Sequence, residues 1–241
     1  MTILFTMKYW WDGKEDSTRL RNVNFCWERL KELTNFLSEN NINCKTKLYD
    51  FSPNKMIEDS IHIPYSLGDY KKAEKTNLII KQNDGLDYIV MFDSDAFFLN
   101  SDYQKILKIF SNLSKDEIYV FDLAKLNEKD TEKIVRNKIY DQQVKDFNFS
   151  YAWSGDKNRG PIKNRISGLG GVYICDMNIL NRVGRFNEKY VGWGGEDGEI
   201  MDRIIKHGYR KNITPVRDFS PFHLSHFRDR QNKKYTQKFT K

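Results

Sequence analysis

The stretch Tyr88-Ile89-Val90-Met91-Phe92-Asp93-Ser94-Asp95-Ala96-Phe97 decides how this chain is read. Its first half is a short continuous apolar run, the pattern of a strand buried on both faces. Two carboxylates then stand where that strand should end. Strand side chains alternate, so Asp93 and Asp95 are expected to point the same way. Anions held that close repel each other unless a cation or donor groups intervene. The arrangement suits a divalent metal that also grips a phosphate-bearing ligand. By itself a D-x-D pattern is common by chance, and turn and cap residues are its commoner reading.

Outward from this strand the chain alternates strand and helix. Residues 2–9 read as a first strand and 44–51 as a second. Between them a helix from Ser17 to about Ser38 carries Leu20, Val23, Trp27, Leu30, Leu33 and Leu37 on one stripe. Residues 69–83 read as a basic-faced helix, 103–113 as a helix, 117–122 as a strand, and 126–146 as a charged helix or excursion. A strand at 172–176 and a short helix at 177–183 follow a polar, glycine-rich loop at 154–171. After about residue 214 periodicity fades. This alternation predicts an α/β fold, one domain over 1–241, with a mixed, mostly parallel sheet. Ligands of such sheets sit at the carboxyl ends of strands, where the D-x-D lies.

Composition narrows the function classes. The chain has 241 residues and a net charge of +7, which suits an anionic partner. No zinc-finger spacing and no arginine-rich run with interleaved aromatics is present, so nucleic acid is not the expected partner. The three cysteines, Cys26, Cys44 and Cys175, are odd in number and without metal-site spacing, so they are expected to be free thiols. No stretch approaches eighteen apolar residues. A cytoplasmic protein is expected, soluble or held peripherally at an anionic membrane by the basic tail at about 228–241.

A second segment, Tyr190-Val191-Gly192-Trp193-Gly194-Gly195-Glu196-Asp197, begins about a hundred residues after the D-x-D. The paired glycines allow close backbone approach. Glu196 and Asp197 fall in the first turn of the next helix, where the dipole favours carboxylates. Ile200, Met201, Ile204 and Ile205 give that helix a buried stripe, and Gly208 is placed to end it. A carboxylate beside an aromatic ring suits a sugar: the ring covers an apolar face and the carboxylate accepts a hydroxyl proton.

With these pieces in order the chain resembles metal-dependent glycosyltransferases of the GT-A fold, nearest to the β-1,4-galactosyltransferase family and its chondroitin-polymerising relatives. The matching motifs are YKKAEKTN at 70–77, FDSDAFF at 92–98, GLGGVY at 168–173, GWGGED at 192–197 and HLSHFRDR at 223–230. The resemblance implies that Asp95 binds the metal and Asp93 contacts the donor sugar or ribose. His226 would be a second metal ligand, and His223 stands where the family often has methionine. Imidazole suits Mn(II), so both histidines are candidate ligands of Mn2+ or Mg2+. Asp197 would be the catalytic base, with Glu196 beside it on the acceptor. Trp193 and Gly194 would line the cleft, and Tyr70 and Lys72 would lie near the nucleotide.

The implied partners are a UDP-sugar donor and a glycan, glycolipid or glycoprotein acceptor, with inversion at the transferred hexose or N-acetylhexosamine. Two alternatives stay open: a retaining transferase like the polypeptide N-acetylgalactosaminyltransferases, which carry W-G-G-E-N, and a non-catalytic carbohydrate-binding module. Two departures bear on specificity. Gly198 interrupts the acidic run after Asp197, and Gly168 replaces an aromatic residue, so galactose does not follow as the donor. The loop 154–168 and the tail are expected to close over the donor.

Overall fold

The computed structural model describes residues 1–10, 17–65, 71–139, 141, 147, 149–151, 169–190 and 195–226. Strand β1 (Ile3–Tyr9) is buried along its whole length. It pairs in parallel with β2 (Cys44–Asp50) on one side and β4 (Tyr88–Asp93) on the other. β3 (Ile61–His62) extends the sheet beyond β2. Past β4 lie β9 (Val172–Asp176), β6 (Ile118–Phe121) and β10 (Ile213–Val216), giving the order β10-β6-β9-β4-β1-β2-β3. β9 runs antiparallel to both its neighbours, while the other pairings are parallel. The expected mixed, mostly parallel sheet is observed.

That antiparallel strand matters to the site. Its start, not its end, lies at the carboxyl edge of β4, with Val172 opposite Phe92. Gly171 accepts a hydrogen bond from the Asp93 amide (2.9 Å), so the glycines before β9 reach the edge where the D-x-D stands.

Two apolar clusters cover the sheet. One packs α1 (Ser17–Glu39), α3 (Tyr103–Ser111) and α4 (Glu128–Asn137) through Val23, Leu30, Leu37, Phe110 and Ile134. The other packs α2 (Lys72–Gln82), α5 (Met177–Arg182) and α6 (Glu196–Lys206) through Ile79, Ile80, Leu180, Ile200 and Ile204. The predicted stripe of α1 is the buried one: Val23, Trp27, Leu30, Leu33 and Leu37 are all buried, with Leu20 packed at its margin. Such apolar burial is the main favourable term in folding.

A four-stranded second sheet, unexpected from the sequence, has the order β5-β11-β7-β8: β5 (Ala96–Phe97), β11 (Phe222–His223), β7 (Ala124–Leu126) and β8 (Phe149–Tyr151). Of the charged segment expected over 126–146, Leu126 instead ends β7, and among the described residues Glu128–Asn137 are helical. Around and after residue 214, where periodicity fades, the chain forms the short strands β10 and β11. Cys26 and Cys175 are buried and Cys44 half-buried, all as free thiols. None of the described helices is long and apolar enough to cross a membrane.

Candidate functional site

The D-x-D is built differently from the expectation. β4 ends at Asp93, and Ser94-Asp95 form a turn before β5. Strand alternation therefore does not set the direction of Asp95; the turn does. Both aspartates nevertheless line one cavity with His223 and His226. β11 pairs antiparallel with β5, setting His223 opposite Ala96, the residue after Asp95. The Leu224 amide donates to the Asp95 carbonyl (2.8 Å) and locks that register.

His223 Nε2 lies 3.2 Å from Asp95 Oδ1, and His226 Nε2 lies 3.0 Å from Asp95 Oδ2. One ligand atom from each residue falls within 4.8 Å of the other two. Burial alone would raise the Asp95 carboxyl. The imidazoles of His223 and His226, with Arg19, outweigh it and hold the group well below the usual carboxylate range. A buried set of two imidazoles and one ionised carboxylate, opening on a polar cavity, fits a divalent ion with room for ligand oxygens. Ser225, between the histidines, is clamped from both sides. The Asn22 side chain donates to its carbonyl (3.0 Å), and its amide donates to Thr131 Oγ1 (2.7 Å). Asn22 and Thr131, both buried, thus fix the spacing of the two rings; neither stands out in the sequence.

The acidic pair forms a second centre. Gly195, at φ +92°, precedes α6; a β-carbon there would meet the Tyr190 ring at 2.9 Å. Glu196 and Asp197 open α6 as expected. Lys72, in the first turn of α2, contacts both: its Nζ lies 2.7 Å from Asp197 Oδ2 and 3.2 Å from Glu196 Oε1. The second oxygens, Asp197 Oδ1 and Glu196 Oε2, are buried without a hydrogen-bond partner among the described residues. A buried carboxylate oxygen is costly to leave unpaired, so these atoms mark places for a ligand.

Burial pushes the Asp197 carboxyl up to about 6. The Lys72 ammonium, through charge and hydrogen bond, opposes that rise, while Glu196 and Asp93 add to it. Gly170 leaves the space that Asp197 Oδ2 occupies, since a β-carbon there would lie 2.9 Å from that oxygen.

Lys72 also lines the cavity of the Asp95 cluster, so it joins the two centres. Lys8, Trp10 and Lys75 line the same cavity. The Lys75 ammonium stands 4.2 Å from the Tyr65 ring centroid and 5.2 Å from that of Trp10, and burial pushes it down to about 8. Trp10 thus lines the cavity while also packing against the second apolar cluster. Lys8 escapes a reading of the sequence because one lysine in a β-branched and apolar run looks like an interruption, not a signal. Tyr70, Trp11, Trp193, Gly194, the loop 154–168 and the tail from 228 lie outside the described residues. A roomier groove, about 740 Å3, runs beside Glu74, Glu188 and Arg203. It is not lined by the Asp95 cluster or the acidic pair, and Arg203 there is already bound to Glu199.

The sequence model of the family described as N-terminal domain of galactosyltransferase matches residues 159–227. Human beta-1,4-galactosyltransferase 2 is 37% identical over 73 residues, 30% of this chain and 20% of that protein. The chain thus spans about a fifth of the length of the curated relatives it matches. In fold it is similar to GalNAc-T7, solved with UDP, GalNAc and Mn2+, at TM-score 0.53 and 13% identity, over 93% of this chain and 44% of that one. Residues 1–349 of S. aureus TarS give TM-score 0.53 at 10% identity, over 93% of this chain and 60% of that one. Residues 159–227 are thus similar to a galactosyltransferase domain, and the fold of the whole chain is similar to those of GalNAc-T7 and TarS. The matched segment carries α6 and β11, and with them Glu196, Asp197, His223 and His226.

Proposed function

We propose that this protein transfers a hexose or N-acetylhexosamine from a UDP-sugar to a hydroxyl of a glycan, glycolipid or glycoprotein, with inversion at the anomeric carbon. One observation carries the reading. Asp197 has an oxygen without a partner among the described residues, an ionisation near neutrality, and a lysine shared with the cavity of the buried Asp95, His223 and His226 cluster. A general base needs that combination of a free lone pair and a pKa close to working pH.

Asp197 Oδ1 takes the proton of the acceptor hydroxyl as its oxygen attacks the anomeric carbon. The bond from that carbon to the diphosphate oxygen breaks, and its electron pair leaves with the UDP. Lys72 holds Oδ2 and so fixes which oxygen of Asp197 is available. Glu196, sharing that lysine, presents its own free oxygen to a second acceptor hydroxyl. Asp93 faces the donor sugar or ribose from the end of β4. Asp95, His223 and His226 would hold Mn2+ or Mg2+, which when bound neutralises the leaving diphosphate. GalNAc-T7, similar in fold, was solved with UDP and Mn2+, which supports this donor class.

The test is UDP release from a panel of UDP-sugars with Mn(II) and mixed glycan acceptors. Asp197→Asn should reduce transfer by roughly a thousandfold or more while UDP still binds, because the base is lost and the donor site is not. A variant that keeps its transfer rate removes Asp197 as the base. A wild-type protein that neither binds UDP nor turns over any UDP-sugar ends the reading altogether.

A further inference from the structure

Among the described residues, Lys8 is a cation of this cavity that the folded chain leaves unanswered. It sits at the carboxyl end of the central strand β1 and is only 9% exposed. It lines the cavity with Asp93, Asp95 and the two histidines. Its Cα partner across the sheet is Asp93. Yet it makes no hydrogen bond or ion pair with the described residues. Buried lysines are almost always paired, because desolvating an ammonium costs several kcal/mol.

A structural counter-ion would touch the carboxylates it balances. Lys72 does so, at 2.7 and 3.2 Å, and Lys8 does not. The surroundings also leave its charge poorly compensated. Burial pushes the Lys8 ammonium down to about 8 and Lys72 adds to that, while Asp93, Asp197 and Glu196 restore it only in part. Lys72, Lys75 and Arg19 line the cavity too. The partner that fits a buried, unpaired ammonium among further cations is an anion brought in from outside.

We propose that Lys8 is a catalytic residue of the same site, whose ammonium binds the diphosphate of the donor and stabilises the charge developing on the departing phosphate. This rests on the transferase reading above and adds a residue to it. The bond between anomeric carbon and diphosphate oxygen still breaks with its electron pair going to the phosphate. Lys8 keeps its proton throughout and acts by charge from a buried position, where such an interaction is stronger than in water. It would divide the leaving-group charge with the ion held by Asp95, His223 and His226.

The experiment compares the full chain with Lys8→Met and Lys8→Arg. Methionine removes a buried charge at similar length, so the variant should melt at or above the wild-type temperature. Calorimetry with UDP and Mn(II) should show affinity at least tenfold weaker in Lys8→Met and largely recovered in Lys8→Arg. Uridine, followed by NMR titration, should bind both proteins alike. With a UDP-sugar at saturation, kcat of Lys8→Met should fall by at least a further tenfold. UDP affinity within twofold of wild type in Lys8→Met, or equal losses for uridine and UDP, overturns the proposal while leaving the transferase reading intact. If the wild type binds no UDP, both fall together.

Discussion

At the scale of single residues, Asp197 answers two opposed demands. As the proposed base it must be ionised near neutral pH, yet its burial favours the protonated form. Lys72 resolves the conflict: its ammonium, 2.7 Å from Oδ2, works against burial, Glu196 and Asp93 and leaves the carboxyl at about 6. Lys8 on β1 and Tyr173 on β9 in turn feel the charge of Asp197. A base loses activity as pH falls through its pKa, so the acid limb of kcat/KM should lie near pH 6. Removing Lys72 leaves the opposing influences unbalanced, and the sign is upward. Lys72→Met should move that limb up by about one unit or more, with Lys72→Arg close to wild type. An unmoved limb, with only the donor KM changed, would assign Lys72 to the nucleotide alone.

At the scale of elements, the site depends on where short segments end. β9 runs against its neighbours, so Leu169-Gly170-Gly171 arrive beside the end of β4 instead of at the far side of the sheet. The Leu169 amide donates to the Asp197 carbonyl (3.1 Å), and Gly170 is packed on its carboxylate. Gly170→Ala should therefore push Asp197 Oδ2 aside. Only a side-chain tip stands in the way, so the fold should tolerate the methyl. Transfer should fall roughly 10- to 100-fold, as expected for a displacement of about an ångström at a reacting group. Circular dichroism and UDP affinity like wild type, alongside the slower rate, would confirm it; an unchanged rate would mean that Asp197 has slack.

The long elements are legible in the sequence because their periods are long enough to read: the α1 stripe, the β4 run and the acidic first turn of α6 all stand as expected. The second sheet is not legible. Its strands are two or three residues long, too short to show a period of two. For the same reason Asp95 reads as part of a strand that in fact stops at Asp93. The candidate residues themselves are accessible through the order of the motifs, whereas no local pattern announces Lys8 on the cavity or the contacts of Asn22 and Thr131 to Ser225.

At the scale of the molecule, the Asp95 cluster is where the two sheets are joined. Asp95 stands between β4 of the large sheet and β5 of the small one, and His223 belongs to β11 of the small sheet. Ser225 ties the same segment to α1 and α4 through Asn22 and Thr131. An ion on Asp95, His223 and His226 would therefore crosslink elements far apart in the chain. Its binding energy would appear as stability of the whole fold, because the unfolded chain does not assemble the three ligands. At a hundred times its dissociation constant, Mn(II) should add about 2.7 kcal/mol, which for a domain of this size raises Tm by roughly 5–10 °C. Thermal melts with and without Mn(II) measure this directly. In Asp95→Ala the two imidazoles remain but the carboxylate that collects them is gone, and the Mn(II)-dependent rise should disappear. An equal rise in Asp95→Ala would place the ion elsewhere, and no rise in the wild type would leave the two histidines as a structural pair that pins β11 to the turn after β4.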